Sequence, residues 1–310
     1  MSKLLDTAFY LVLNMSITAS VIGLLLMGLR RVKQVPRFCM YALWGLVFIR
    51  LLIPFAFSSE MSLLNYAGGL IKKVVAVPAQ NSMSLTMANT LGAANSYFPM
   101  TYRTDQLKAV FSTAALVWAI GAVVAVLLII SLYCLNGREL RKATHFKDNI
   151  YISRTVLSPM VFGMFRQRII IPPGLMENEA ELKYVLLHEQ VHSKRHDNVF
   201  RFAAVLIACL HWFNPLVWGC LRLFFRDMEF ACDAKAVELL PVEERTSYAR
   251  TLVNFSAGQK VFLSSAFGEG NVKARVLNVL NNKKLTTLGI FCSVLFFIAV
   301  ALALLTNPIK

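Results

Sequence analysis

Three stretches of this chain, Ala8–Leu29, Ala109–Cys134 and Leu285–Leu305, run without a charged residue. Each is long enough to cross a bilayer, because a hydrocarbon core of about 30 Å needs about 20 apolar residues in a helix. A fourth stretch, Phe38–Phe57, is long enough but carries Arg50. The part before Arg50 is too short to span, so Arg50 is expected at or near the outer interface. There its guanidinium would snorkel to the headgroups, with an ion-pair or gating role as the other reading. Composition agrees with a membrane protein. Hydrophobic residues make up 57% and charged residues 16% of the 310 residues. Soluble domains carry roughly 45–50% apolar residues, glycine included, and about 25% charged residues. These values exclude disorder, collagen and a small disulfide scaffold, and they argue against a purely soluble globule.

The formal charge of +15 follows the expected topology. Arg30, Arg31, Lys33 and Arg37 follow the first apolar stretch, whereas Lys3 and Asp6 nearly cancel before it. Basic loops stay cytoplasmic, so the N-terminus is expected outside and the Arg30–Arg37 loop inside. The first stretch is too long for a cleaved signal peptide, and no small-residue cleavage site precedes the basic cluster. The expected organisation is therefore residues 1–57 with spans 1 and 2 and a short cytoplasmic loop, then an outer loop at 58–108. Span 3 follows at 109–134, a basic cytoplasmic domain at 135–284, and span 4 with a short outer tail at 285–310. The outer loop reads as mostly irregular, with one amphipathic piece around Leu63–Val77. None of the six cysteines falls in it, which fits reduced thiols rather than a disulfide framework. Direct nucleic-acid binding explains the charge poorly, because the basic residues track the membrane topology rather than one helix.

Chemistry concentrates in the run His188-Glu189-Gln190-Val191-His192. It follows Glu177–Leu187, whose early acids and later apolar residues read as a helix start and body. His188 and His192, at i and i+4, share one helix face and can both reach a single Zn²⁺, and Glu189 beside them can act as the general base. A catalytic zinc needs a third protein ligand and one open position. His196 is rejected on a continuous helix, since i and i+8 lie about 12 Å apart along the axis. The metzincin pattern fails too, because Arg195 and Asn198 stand where it needs Gly and His. Downstream, Glu229 and Asp233 are again i and i+4. Glu229 would complete a His₂Glu site, and Asp233 would accept a hydrogen bond from a ligating imidazole. His196, Arg195 and Tyr248 are candidates for stabilising the oxyanion.

Val199–Phe225, between the two half-sites, is nearly all apolar. A true crossing would put His192 and Glu229 on opposite sides of the membrane, where one zinc could not bind both. The run is therefore expected to be a membrane-associated hairpin broken at Trp212-Phe213-Asn214-Pro215, where Asn-Pro is a strong breaker. The β-branched run Arg168–Ile171, stopped by Pro172-Pro173-Gly174, reads as a strand. It is either a core strand or one that holds an extended peptide by main-chain pairing.

Taken together, the set resembles the BlaR/MecR-type membrane zinc metallopeptidases, the transducer part of bacterial β-lactam sensors. The matching pieces are Arg50–Pro54, Ser158–Gly163, His188–His192 with Arg195 and Asp197, His211–Pro215, Arg226–Asp233, and Ala266–Glu269 with Val272 and Lys273. The resemblance covers nearly the whole chain. It implies a mainly α, multi-pass protein of the bacterial cell membrane, with a cytoplasmic gluzincin-like α+β domain between spans 3 and 4. It also implies His188, His192 and Glu229 as zinc ligands and Glu189 as the base. The implied activity is cleavage of a cytoplasmic protein, such as a winged-helix repressor, in response to an outside signal or an outer-face sensor partner. Sensor relatives carry a penicillin-binding domain with Ser-x-x-Lys beyond the last helix. This sequence contains no Ser-x-x-Lys, so direct acylation by a β-lactam is not expected of it. Competing readings are a housekeeping protease resembling the CAAX-processing zinc enzymes and a non-catalytic transducer. An intact Glu189 argues against the latter, since a structural zinc site needs no base. The window Ser264–Gly270 resembles the place where sensor relatives cleave themselves, although small and polar residues also mark ordinary linkers.

Overall fold

The computed structural model describes residues 2–31, 37–56, 86–87, 105–257, 272–280, 295–296 and 298–300. In chain order the first elements are α1 (Ser2–Leu29), α2 (Arg37–Leu52), β1 (Phe55–Ala56), β2 (Thr86–Met87) and α3 (Asp105–Leu140). Then come β3 (Thr144–Lys147), β4 (Ile150–Ile152), β5 (Met160–Phe162) and β6 (Arg168–Ile171). The last are α4 (Glu179–Lys194), α5 (Asp197–Leu210), α6 (Pro215–Glu238), α7 (Arg245–Ala257) and α8 (Val272–Leu280). The amphipathic piece expected at Leu63–Val77 and the window Ser264–Gly270 lie outside the described residues, as does most of Leu285–Leu305.

The chain forms two compact units: Met1–Val126 with Ile207–Cys220 and Thr286–Lys310, and Leu127–Leu206 with Leu221–Leu285. In the first, α1 packs on α2, and Ala19, Ile22, Leu26, Met40, Leu43, Trp44, Val47 and Leu51 are buried. Among the described residues, Leu4–Leu29 and Ala109–Leu140 are long and apolar enough to cross a membrane, whereas the apolar part of α2, Cys39–Leu52, is shorter. Arg50 corrects the expectation of a snorkelling side chain. It is only 3% exposed, so its side chain is buried rather than extended outward.

Between α5 and α6 the chain turns, so Val199–Phe225 is two helices rather than one. Asn214 makes the turn. Its side-chain oxygen accepts a hydrogen bond from the Leu216 backbone N–H at 2.9 Å, which caps α6 with Pro215 in its first turn. Its amide donates to Ser16 Oγ at 2.7 Å and Ser20 Oγ at 2.8 Å on α1. The ring of His211 meets the Leu51 carbonyl at 3.0 Å, and the indole of Trp212 donates to the Trp118 carbonyl at 3.2 Å. Asn214, His211 and Trp212 at the tip thus each bond to a neighbouring helix.

The second unit is built on a four-stranded sheet of order β3-β4-β6-β5, in which β4 and β6 are parallel and the other neighbours antiparallel. Alternation along β6 divides its side chains between two layers. Ile169 and Ile171 cluster with Val161, Leu175 and Val185 beneath α4, while Ile170 joins Leu140 and Val156. With β4 on one side and β5 on the other, β6 has no free edge. The peptide-pairing reading of Arg168–Ile171 is thereby corrected: it is a core strand, and the edges are β3 and β5. The opposite flank of α4, through Tyr184 and Val191, packs against Cys232, Ala236 and Val237 of α6, Tyr248 and Ala249 of α7, and Val279 of α8. Burying each of the valines among them contributes about 1.5–3 kcal/mol. The helix with the two histidines is therefore clamped from both sides.

Candidate metal centre

Asn178 starts α4, its side-chain oxygen accepting from the Glu181 backbone N–H at 3.2 Å, with Glu179 and Glu181 in the first turn complementing the helix dipole. The helix ends at Lys194, and His196 adopts a left-handed backbone with φ +55°. This single left-handed residue reverses the chain and returns Asp197, fully buried at the start of α5, to the end of α4.

His188, His192 and Glu229 come together across α4 and α6. His188 Nε2 and His192 Nε2 are 3.1 Å apart, and the Glu229 carboxylate lies 3.5 Å from each of them. Four ligands about 2.1 Å from one ion at tetrahedral angles stand roughly 3.4 Å from one another. The observed spacings, with Glu229 Oε2 facing His188 and Oε1 facing His192, are close to that figure, so these groups fit a metal ion.

The remaining ring nitrogens are engaged. His192 Nδ1 donates to Asp197 Oδ2 at 2.6 Å. His188 Nδ1 donates to the Tyr248 hydroxyl at 2.8 Å, which donates to Asp233 Oδ1 at 2.9 Å. Asp233 is also 3.4 Å from His188 Nδ1, and Arg275 grips it through Nε at 2.7 Å and Nη2 at 2.9 Å. Such contacts fix the tautomer that leaves Nε2 for a metal. Arg275 Nη2 also lies 3.4 Å from Glu229, and Arg201 pairs with the other carboxylate oxygen.

Cys232 offers a second candidate for the third ligand, since one ligand atom each from His188, His192 and Cys232 lie within 4.8 Å of one another. Its sulfur, however, approaches His188 at Nδ1, 3.7 Å away, and at the carbonyl, 3.5 Å away. That nitrogen is already bonded to Tyr248.

Electrostatics favour a cation here. Burial opposes charge on His188, but the neighbouring Cys232 thiol and Glu229 carboxylate outweigh it and raise the imidazole to about 10. His192 is also raised, with Cys232, Glu229 and Asp197 overcoming burial. Burial pushes Glu229 up, yet His192 and Arg275 hold it well below the usual carboxylate range.

Glu189 is half-buried beside His188, and its side chain makes no hydrogen bond or ion pair with any described residue. Of the oxyanion candidates, Tyr248 is 1% exposed with its hydroxyl spent between His188 and Asp233. Arg195 pairs with Asp197 at 3.3 Å, and His196 is exposed against Gln167 at 3.2 Å. Sequence reasoning assigned no role to Cys232, Arg201 or Arg275. Cys232 was within its reach, standing three residues after Glu229 on the same helix.

A helix bearing two histidines one turn apart, faced by a carboxylate from a second helix and seated on a small sheet, is the arrangement that metallopeptidases use to hold their metal. The comparisons narrow the class: the chain belongs to the BlaR1 peptidase M56 family, whose description it matches over residues 10–279. It is similar to Regulatory protein BlaR1 of Bacillus licheniformis, 29% identical over 213 residues, covering 59% of this chain and 35% of the relative. It is also similar to the Methicillin resistance mecR1 protein of Staphylococcus aureus, 28% identical over 145 residues, covering 44% of this chain and 25% of the relative. Regulatory protein BlaR1 of Staphylococcus aureus is 28% identical over 144 residues, with 43% and 25% covered. The matched part thus spans between a quarter and about a third of the length of these curated relatives.

Proposed function

We propose that this chain is a membrane-embedded zinc endopeptidase of the antibiotic-sensor type, which cuts a cytoplasmic protein when a signal arrives from outside. The observation that carries the reading is the 3.1–3.5 Å spacing of His188 Nε2, His192 Nε2 and the Glu229 carboxylate. Zinc held there would lower the pKa of a water to about 7 and polarise a peptide carbonyl. Glu189 takes the proton of the attacking water and returns it to the leaving amine. Asp197 and the Tyr248–Asp233 pair keep both imidazoles in the ligating tautomer. Glu229 serves as third ligand in preference to Cys232, because it faces the Nε2 atoms of both histidines.

The substrate in this reading is a winged-helix repressor, in keeping with the regulatory and resistance names of the relatives. Self-cleavage within Ser264–Gly270 is a second outlet of the same activity. The organisation proposed is four spans with both termini outside, and a peptidase domain at 135–284 that is cytoplasmic. The basic cluster after α1 and the helical break at 211–213 support it. The test is zinc content together with cleavage of repressor in purified variants. Glu189→Gln keeps zinc and loses cleavage, and His188→Ala loses both. Full turnover by Glu189→Gln overturns the assignment.

A further inference from the structure

Where the end of α3 meets the β5–β6 hairpin, a cavity of about 160 Å³ is lined by Leu140, Arg141, Phe162, Gly163, Arg166 and Arg168. Three arginines line it, and no acidic residue does. The side chains of Arg141 and Arg166 are exposed and make no hydrogen bond or ion pair with any described residue, while Arg168 lies over the Tyr151 ring at 4.8 Å. Like charges gathered around one concavity repel unless an anion enters, and the planar forks of arginine suit phosphate oxygens.

The junction is built. Tyr133 of α3 stacks on Phe162 with ring centroids 5.2 Å apart. Gly137 admits the same ring, since a Cβ there would stand 3.2 Å from it. Gly163 turns the hairpin at φ +99°, and a side chain there would meet the Arg166 carbonyl at 2.6 Å. The hairpin then presents Phe165, 94% exposed, beside Arg166.

Depth identifies the ligand. The flank of α3 before the junction is bare and apolar, with Leu127 at 58%, Leu128 at 57% and Leu135 at 55% exposed. Tyr133 lies where aromatic residues mark a membrane interface. Arg141 follows Cys134 by about 10 Å along the helix axis. The headgroup layer reaches roughly 5–8 Å beyond the hydrocarbon, and a folded-back arginine side chain covers the difference.

We propose that this cavity binds the phosphate of an anionic phospholipid on the inner leaflet, and that Phe165 inserts beside it at the headgroup–acyl boundary. A free phosphate would leave Phe165 and the bare helix flank unused, whereas a lipid engages all three features. The proposal rests on α3 crossing the membrane and is independent of the zinc chemistry.

The experiment is native mass spectrometry of the full chain in detergent, titrated with phosphatidylglycerol, phosphatidylcholine or inorganic phosphate. The expected result is phosphatidylglycerol retained in preference to phosphatidylcholine and not displaced by inorganic phosphate. The double variant R141Q/R166Q weakens retention about 10- to 30-fold, as expected for two basic residues at an anionic surface, with zinc content unchanged. F165S weakens phosphatidylglycerol and phosphatidylcholine alike. Equal retention of both lipids by the unaltered protein overturns the proposal. So does displacement by inorganic phosphate, or undiminished phosphatidylglycerol binding in the double variant.

Discussion

His192 and His188 sit one turn apart on α4, yet they are steadied from different parts of the chain. His192 bonds to Asp197, which arrives through the left-handed turn at His196. That support is local and forms with the α4–α5 corner itself. His188 depends on Tyr248 from α7, Asp233 from α6 and Arg275 from α8. Its support exists only when three later helices have docked, with Val279 anchoring α8 to the same core. One arm of the centre is therefore local to the α4–α5 corner, and the other depends on tertiary docking. A change at α8 thus reaches the centre through His188 and Glu229 and leaves the Asp197 contact of His192 in place.

Removing the proposed base, Glu189, is expected to give the largest effect, and it should be blind to the two arms. Glu189→Gln is expected to lower cleavage by about 10²–10⁴-fold, with zinc affinity unchanged in a chelator competition. Asp197→Ala breaks the local arm and is expected to cost about 10–100-fold in zinc affinity, read in the same competition. Tyr248→Phe is milder, a few-fold, because Asp233 lies 3.4 Å from His188 Nδ1 and can take the bond. The arms separate in double variants: Asp197→Ala with Tyr248→Phe should be additive, whereas Tyr248→Phe with Arg275→Gln should couple by about 0.5–3 kcal/mol. Equal coupling in both pairs would erase the distinction.

The pH dependence of stability sharpens it further. Without metal, His188 is raised from its ordinary value to about 10. The stability this brings is fully present below about 6.5, the unfolded value, and is lost as pH rises through about 10. Zinc requires neutral imidazoles, so the loaded protein lacks this loss. The thermal shift on adding zinc should grow between pH 6.5 and 9, and a shift that shrinks over that window contradicts the account.

Local pattern made half of the site legible. The i, i+4 histidines, Glu229 and the Asn214-Pro215 break are all short-range signals, and each occupies the element its spacing implied. Asp197 stayed hidden as a partner of His192, because a helical wheel continues through His196, where the backbone reverses. Tyr248 and Arg275 are separated from His188 by whole helices, and no periodicity connects them. Arg168–Ile171 was readable as a strand, but its central place in the sheet depends on β4 and β5 pairing with either side. Arg50 was misplaced for a similar reason: an isolated span predicts a lipid-facing charge, and burial such as Arg50 has depends on tertiary packing.

The central claim concerns the metal's ligands, and X-ray absorption at the zinc edge of the loaded protein tests it most directly. With His188, His192 and Glu229 as ligands, the ion has only nitrogen and oxygen neighbours, at about 2.0–2.2 Å. A sulfur neighbour at about 2.3 Å that disappears in Cys232→Ser, while Glu229→Gln leaves the spectrum unchanged, would contradict it.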